Sequence, residues 1–187
     1  AVKPDAITVA EDVSGMPALA ITDHGSLFGA IDHLRACQKA GIRPIVGAEV
    51  YVAIGSRFDR RETRGLKHAS NHLVLLAKNA TGYRNLVKLV SKGYLEGYYY
   101  NPRIDRQLLQ EHREGLVCLS GCVSGEVAHL IGTGRPGEAE AAARAYRDLF
   151  AEDYYLEIQR HGIDLEAKIN TGLVELHHRL GIPLVAT

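Results

Sequence analysis

Short, almost continuously apolar runs alternate with stretches whose apolar residues recur at helical spacing, and the alternation persists through most of the 187 residues. The apolar runs cover 18–22, 43–53, 73–77, 116–120, 154–159 and 182–186, and read as buried strands. Helical spacing predicts helices over 27–40, 83–92, 124–131, 136–150 and 165–180, with Gly41 and Gly181 as stops after the first and last. Strands that are apolar throughout need cover on both faces, so the pattern predicts an α/β fold, a parallel sheet layered with helices. An open doubly wound sheet and a closed barrel both satisfy it.

Two segments interrupt the rhythm. Residues 55–70 are polar and rich in arginine and glycine, and read as an exposed loop. Residues 94–106 contain Tyr98, Tyr99 and Tyr100 followed by Asn101 and Pro102, an irregular aromatic connection. No internal repeat or low-complexity linker separates parts of the chain. Its length suits a single domain over 1–187 with a full core.

A formal net charge of zero argues against a domain that grips nucleic acid through a broad positive field, while leaving room for a small local contact. No run approaches the roughly 20 apolar residues needed to span a bilayer, so no membrane role is expected. No basic start followed by an apolar stretch suggests a signal peptide, which says little if the chain begins inside a longer protein. Cys37, Cys118 and Cys122 are odd in number and lack a CxxC pair. They suit a reducing, cytoplasmic setting better than a disulfide framework or a zinc ribbon.

In parallel α/β folds the working residues gather at the carboxyl ends of strands. Here the first strand ends in Asp23 and His24, the second contains Glu49, the fourth ends at Cys122, and the fifth is followed by His161. The end of the second strand, 50–53, is expected to pair antiparallel with 73–77. That would place Glu49 beside His72 at the base of a hairpin, on the rim that carries His24 and Cys122. Imidazole, carboxylate and thiolate together suit zinc, or a mixed site that also takes manganese or iron. Such a site would acidify a bound water and deliver hydroxide to a phosphorus centre.

Each residue also has a plainer reading. His24 and Asp23 fit a capped turn, with Asp23 at the N-cap of the following helix. Cys122 on its own is more often a small core residue. His72 fits an ordinary strand start. Glu49 is harder to dismiss, because an unpaired buried carboxylate is costly. His33, His68, His112, His129, His177 and His178 are assigned to surfaces or loops. Arg57, Arg60, Arg61, Arg64 and Lys67 form a basic loop that reads slightly better as solvated than as a DNA contact. The tyrosines at 98–100 fit base stacking and packing on a neighbouring domain equally well.

The segments 18–25 (ALAITDHG), 27–30 (LFGA), 41–53 (GIRPIVGAEVYVA), 82–87 (GYRNLV), 98–105 (YYYNPRID), 119–122 (LSGC) and 157–162 (EIQRHG) occur in an order that resembles one known family. That family is the PHP (polymerase and histidinol phosphatase) domain of the bacterial DNA polymerase III alpha subunit. The resemblance implies a seven-stranded β/α barrel with zinc or manganese ions at one rim. His24, Glu49, His72, Cys122 and His161 match ligand positions, Asp23 would be a ligand or a ligand's partner, and Asp23 and Glu49 would carry catalysis. It also implies a metal-dependent 3′–5′ exonuclease that proofreads the primer end. The expected partners are DNA, touched by Arg57, Arg60, Tyr98 and Tyr99, the rest of the polymerase chain, and other replisome components. Two alternatives follow from the same likeness: a non-catalytic scaffold that docks a separate proofreading subunit, and a free-standing histidinol-phosphatase-like phosphoesterase. The family's opening His-x-His and closing Asp-x-His motifs are absent. The chain is therefore expected to be a barrel incomplete at both ends, holding metal poorly alone, without palm, fingers or thumb.

Overall fold

The computed structural model describes residues 16–60 and 70–187. Strand β1 (Ala18–His24) runs into a turn and helix α1 (Ala30–Ala40). The helix starts three residues later than the apolar spacing suggests. The Asp23 carboxylate accepts the Gly29 N–H at 2.8 Å, and the Ala30 N–H reaches the Leu27 carbonyl, so 27–29 form a turn. Gly41 closes α1 in the left-handed region at φ 70°, as its glycine predicts. Strand β2 (Arg43–Ala53) lies parallel to β1, with Ala18 opposite Arg43 and His24 opposite Glu49.

The sheet is mixed rather than wholly parallel. Strand β3 (Ser70–Ala77) is antiparallel to both β2 and β5 (Leu116–Leu119), because no crossover helix separates β2 from β3 and the chain folds straight back. The hairpin register pairs Gly47 with Leu76 and Ala53 with Ser70, so pairing reaches deeper than the 50–53 segment expected. Helix α2 (Ala80–Leu95), capped by the Asn79 side chain on the Gly82 N–H, returns the chain to a two-residue strand β4 (Arg103–Ile104) beside the tip of β2. Asp105 then caps helix α3 (Arg106–Glu111). The region expected to be irregular thus contains a strand and the start of a helix. Helices α4 (Glu126–Gly132) and α5 (Pro136–Phe150) precede β6 (Tyr154–Ile158), and α6 (Asp164–Leu180) precedes β7 (Leu184–Ala186). The seven-stranded sheet has the order β1-β2-β3-β5-β6-β7, with β4 branching from β2.

One apolar core joins these elements. Val50, Val52, Leu73 and Leu75 point from the sheet onto Leu86, Leu89, Leu108 and Leu109, all nearly or fully buried. Each such side chain contributes roughly 1.5–3 kcal/mol when removed from water. Ala139, Ala142 and Ala143 line the buried face of α5, where small side chains let the helix approach the sheet closely. His33 belongs to this interior as well. It is 2% exposed and bonds the Leu19 carbonyl through Nε2 at 3.0 Å, contrary to its surface assignment. His68 lies outside the described residues. Among the described residues no helix is long and apolar enough to cross a membrane.

Candidate metal centre

Strand alternation builds the site. Ala48, Val50 and Val52 face the core, so Glu49 and Tyr51 face the other way. Parallel pairing sets His24 opposite Glu49, and antiparallel pairing sets His72 opposite Tyr51. Four side chains from three strands therefore share one face. Glu49 bridges the two histidines: Oε2 lies 3.3 Å from His24 Nε2, and Oε1 lies 2.5 Å from His72 Nδ1. The Tyr51 ring stands edge-on to His72 with centroids 5.0 Å apart.

Cys122 arrives from the loop after β5. Its Sγ lies 3.5 Å from Glu49 Oε1 and 3.6 Å from His72 Nδ1. The loop is sewn to β3, where the His72 N–H donates to the Ser124 carbonyl at 3.0 Å and His72 bridges Gly125, and it is tightened internally by the Gly125 N–H donating to the Cys122 carbonyl at 2.7 Å. Gly121 turns the chain at φ 84°, and a Cβ there would sit 2.9 Å from the His72 carbonyl oxygen. Only glycine meets both conditions without strain.

The electrostatics favour an ionised Glu49 between the two imidazoles. Burial alone would raise the Glu49 carboxyl, but the hydrogen bond from His72 and the charges of His24 and His72 bring it below the ordinary value. Burial works against a charged His72. The Cys122 thiol and the Glu49 carboxylate outweigh it and lift the imidazole to about 9. One ligand atom from each of His24, Glu49 and His72 lies within 4.8 Å of the others, the only such group that includes these strand ends among the described residues. Zinc donors sit about 2.0–2.3 Å from their ion and hence within roughly twice that of one another, so this set, with the Cys122 sulfur beside it, fits a divalent cation.

The remaining predicted residues lie elsewhere. Asp23 points to the opposite side of β1 from His24 and accepts the Gly29 N–H, so it braces the turn, but the N-cap of α1 is Gly29 and not the expected Asp23. His161, after β6, is not among the converging ligand atoms. Its backbone N–H and Nδ1 are both taken by Glu166 of α6, at 2.8 and 3.2 Å. Arg57 is neither solvated nor free for DNA: it is 7% exposed, and its guanidinium reaches Asp105 at 3.0 Å and Glu96 at 2.7 Å. The paired charges explain its burial. Arg103 is buried beside it and stacks over Tyr99, 4.9 Å from the ring centroid. Arg60 remains exposed, bonding the carbonyls of Tyr98 and Glu96, and Tyr98 is exposed as well. Arg61, Arg64 and Lys67 lie outside the described residues. Sequence reasoning missed Tyr51, which strand alternation from Glu49 would have revealed, and Glu157, a buried carboxylate hidden in an apolar strand.

The family model of the PHP domain matches residues 2–161. The chain belongs to the PHP family. Among curated proteins, this PHP chain is 54% identical over 175 residues to the DNA polymerase III subunit alpha of Treponema pallidum, covering 92% of the chain and 15% of that protein. The subunit from Thermus aquaticus is 47% identical over 171 residues, covering 91% and 14%. That from Chlamydia pneumoniae is 43% identical over 194 residues, covering 92% and 16%. The PHP chain thus spans about one-seventh of the length of these relatives. Among solved structures, a Bifidobacterium adolescentis protein provisionally described as a metal-dependent phosphoesterase superposes with a TM-score of 0.52 at 12% identity, covering 98% of this chain and 80% of that one. That likeness supports the PHP-type barrel fold.

Proposed function

We propose that this chain is the PHP module of a bacterial DNA polymerase III alpha subunit, and that its rim hydrolyses the terminal phosphodiester of a mispaired primer 3′ end. The observation that carries the reading is the convergence of His24, Glu49 and His72 within 4.8 Å, with the Cys122 sulfur beside them. These four residues would hold zinc or manganese. When bound, such an ion supplies Lewis acidity and lowers the pKa of a water at the phosphorus centre. Glu49 keeps both imidazoles oriented through its two oxygens. The half-exposed His24 marks the open side from which a DNA end would approach. Tyr51 walls the site beside His72. Arg60 and Tyr98, exposed on the loop side, are proposed to touch DNA, whereas Arg57 is not. A cytoplasmic setting agrees with three free cysteines.

A second reading, a scaffold docking other parts of a polymerase or a proofreading subunit, has its own support. Phe28 and Leu95 are 85% and 84% exposed and line one apolar groove with Tyr83, Val87 and Tyr94. The full-length polypeptide separates the two. Degradation of a 3′-mispaired primer should vanish with a zinc-selective chelator in excess magnesium and in Glu49→Gln, while magnesium-dependent primer extension persists. Exonuclease activity that survives both treatments overturns the catalytic reading. Absence of bound metal and of chelator-sensitive activity in the unmodified protein establishes the scaffold instead.

A further inference from the structure

Glu157 is 4% exposed in the middle of an apolar strand, and among the described residues its partners are uncharged donors. A buried carboxylate is tolerated only when its lone pairs are met. Here Oε2 accepts the Gly121 N–H at 3.1 Å, and Oε1 accepts Gln159 Nε2 at 2.8 Å and Thr187 Oγ1 at 2.7 Å. Its own N–H donates to Ser120 Oγ at 2.9 Å. The carboxylate is therefore occupied from three sides and stands outside the group of ligand atoms formed by His24, Glu49 and His72.

The bond to Gly121 gives this arrangement a purpose. Gly121 immediately precedes Cys122 and adopts the left-handed backbone that swings the thiol over the sheet. Beyond Cys122 the loop is anchored to β3 through Ser124 and Gly125. Before it, the Gly121 peptide is held by Glu157. The Gly121 N–H belongs to the Ser120–Gly121 peptide, so the carboxylate fixes the plane that enters the turn, and with Gly121 held at φ 84° this sets the path by which the chain brings Cys122 Sγ to Glu49 and His72. Thr187 carries the same carboxylate's grip to the end of β7, coupling two neighbouring strand ends at the rim.

We propose that Glu157 is the positioning residue of the metal centre, acting through Gly121 to hold the Cys122 thiolate in place. The inference rests on the reading of Cys122 as a ligand. Outer hydrogen-bond partners of ligands typically carry a 10–100-fold effect on metal affinity.

Cobalt(II) titrated into the full-length polypeptide tests it, because thiolate ligation gives a charge-transfer absorption that imidazole and carboxylate do not. Cys122→Ser should abolish that band. Glu157→Met keeps side-chain length but removes the acceptors, and Glu157→Asp keeps the charge but withdraws it from Gly121. Both should weaken the band and lower cobalt affinity about tenfold or more. Glu157→Gln retains an acceptor for Gly121 and should keep band and affinity. In a Cys122→Ser background, Glu157→Met should lower affinity no further. Circular dichroism confirms folding of each variant, and Glu157→Asp carries the test should Glu157→Met unfold. Wild-type band and affinity in both variants, or an equal loss of affinity in the Cys122→Ser background, overturns the proposal. A band unchanged by Cys122→Ser overturns the ligand reading and the proposal with it.

Discussion

Glu49 Oε1 and His72 Nδ1 meet at 2.5 Å across the β2–β3 hairpin, although 23 positions separate them in the chain. The contact helps hold each partner in its charged form: against burial, Cys122 and Glu49 together lift the imidazole to about 9, and His72 and His24 lower the carboxyl. The metal-free site therefore holds a proton where a divalent cation would sit.

That proton makes metal binding and stability depend on pH in opposite senses. His72 takes up its proton more readily when folded. Its contribution is complete below its ordinary value of 6.5 and is lost as pH rises through about 9. Glu49 contributes above its ordinary 4.5, and its share is lost as pH falls through its lowered folded value. Metal-free protein should thus gain most from this pair between pH 4.5 and 6.5 and lose on the order of 2–3 kcal/mol toward pH 9 or above. Zinc affinity should rise at least about tenfold per pH unit across the same upper range, because the His72 proton must leave as the ion enters. Thermal unfolding with a chelator and zinc titration at fixed ionic strength measure the two. Glu49→Gln should return His72 toward an ordinary histidine in an NMR titration.

Gly121→Ala should destabilise the chain more than Gly134→Ala. Both glycines have positive φ, 84° and 77°, but an added methyl at 121 meets the His72 carbonyl at 2.9 Å, whereas nothing lies within 4 Å at 134. Left-handed backbone costs roughly 1–2 kcal/mol for a residue with a Cβ. Gly134→Ala should show about that loss in urea unfolding, and Gly121→Ala distinctly more, together with weaker zinc binding. Equal losses would mean that the loop has room to shift.

Arg57→Met should lower stability by about 3–5 kcal/mol, since it leaves the Asp105 carboxylate buried without its cation. Asp105 also caps α3 through the Leu108 N–H at 2.9 Å, so the damage should extend to that helix. The salt dependence of DNA binding should stay unchanged, because the guanidinium faces the protein. A shallower salt slope in Arg57→Met would return Arg57 to the DNA surface. Arg135→Ala, which removes an exposed pair with Glu138, should leave stability nearly untouched.

The three thiols should react unequally. Burial raises the Cys37 and Cys118 thiols, while Cys122 is only partly covered. Iodoacetamide should modify Cys122 first in native protein, and zinc should slow that reaction alone. Equal labelling of Cys118 would place the loop after β5 in a looser arrangement than the hydrogen bonds indicate.

Much of this architecture was legible in the order of residues. Apolar runs marked β1, β2, β5 and β6, because a strand covered on both faces must be apolar throughout. Gly41 and Gly181 marked helix ends, because few other residues accept the left-handed backbone there. Glu49 stood out because a carboxylate inside an apolar strand demands a partner. Only the tertiary structure decided which partner. Whether His24, His72, Cys122 or His161 reached Glu49 depended on strand register and on which way each loop left the sheet. Those are long-range choices: His161 was captured by Glu166 at the start of α6, and Arg57 by Asp105, 48 positions away. Local sequence sets what each segment can become, whereas the pairing of distant charges is settled by the packing that brings their strands and loops together.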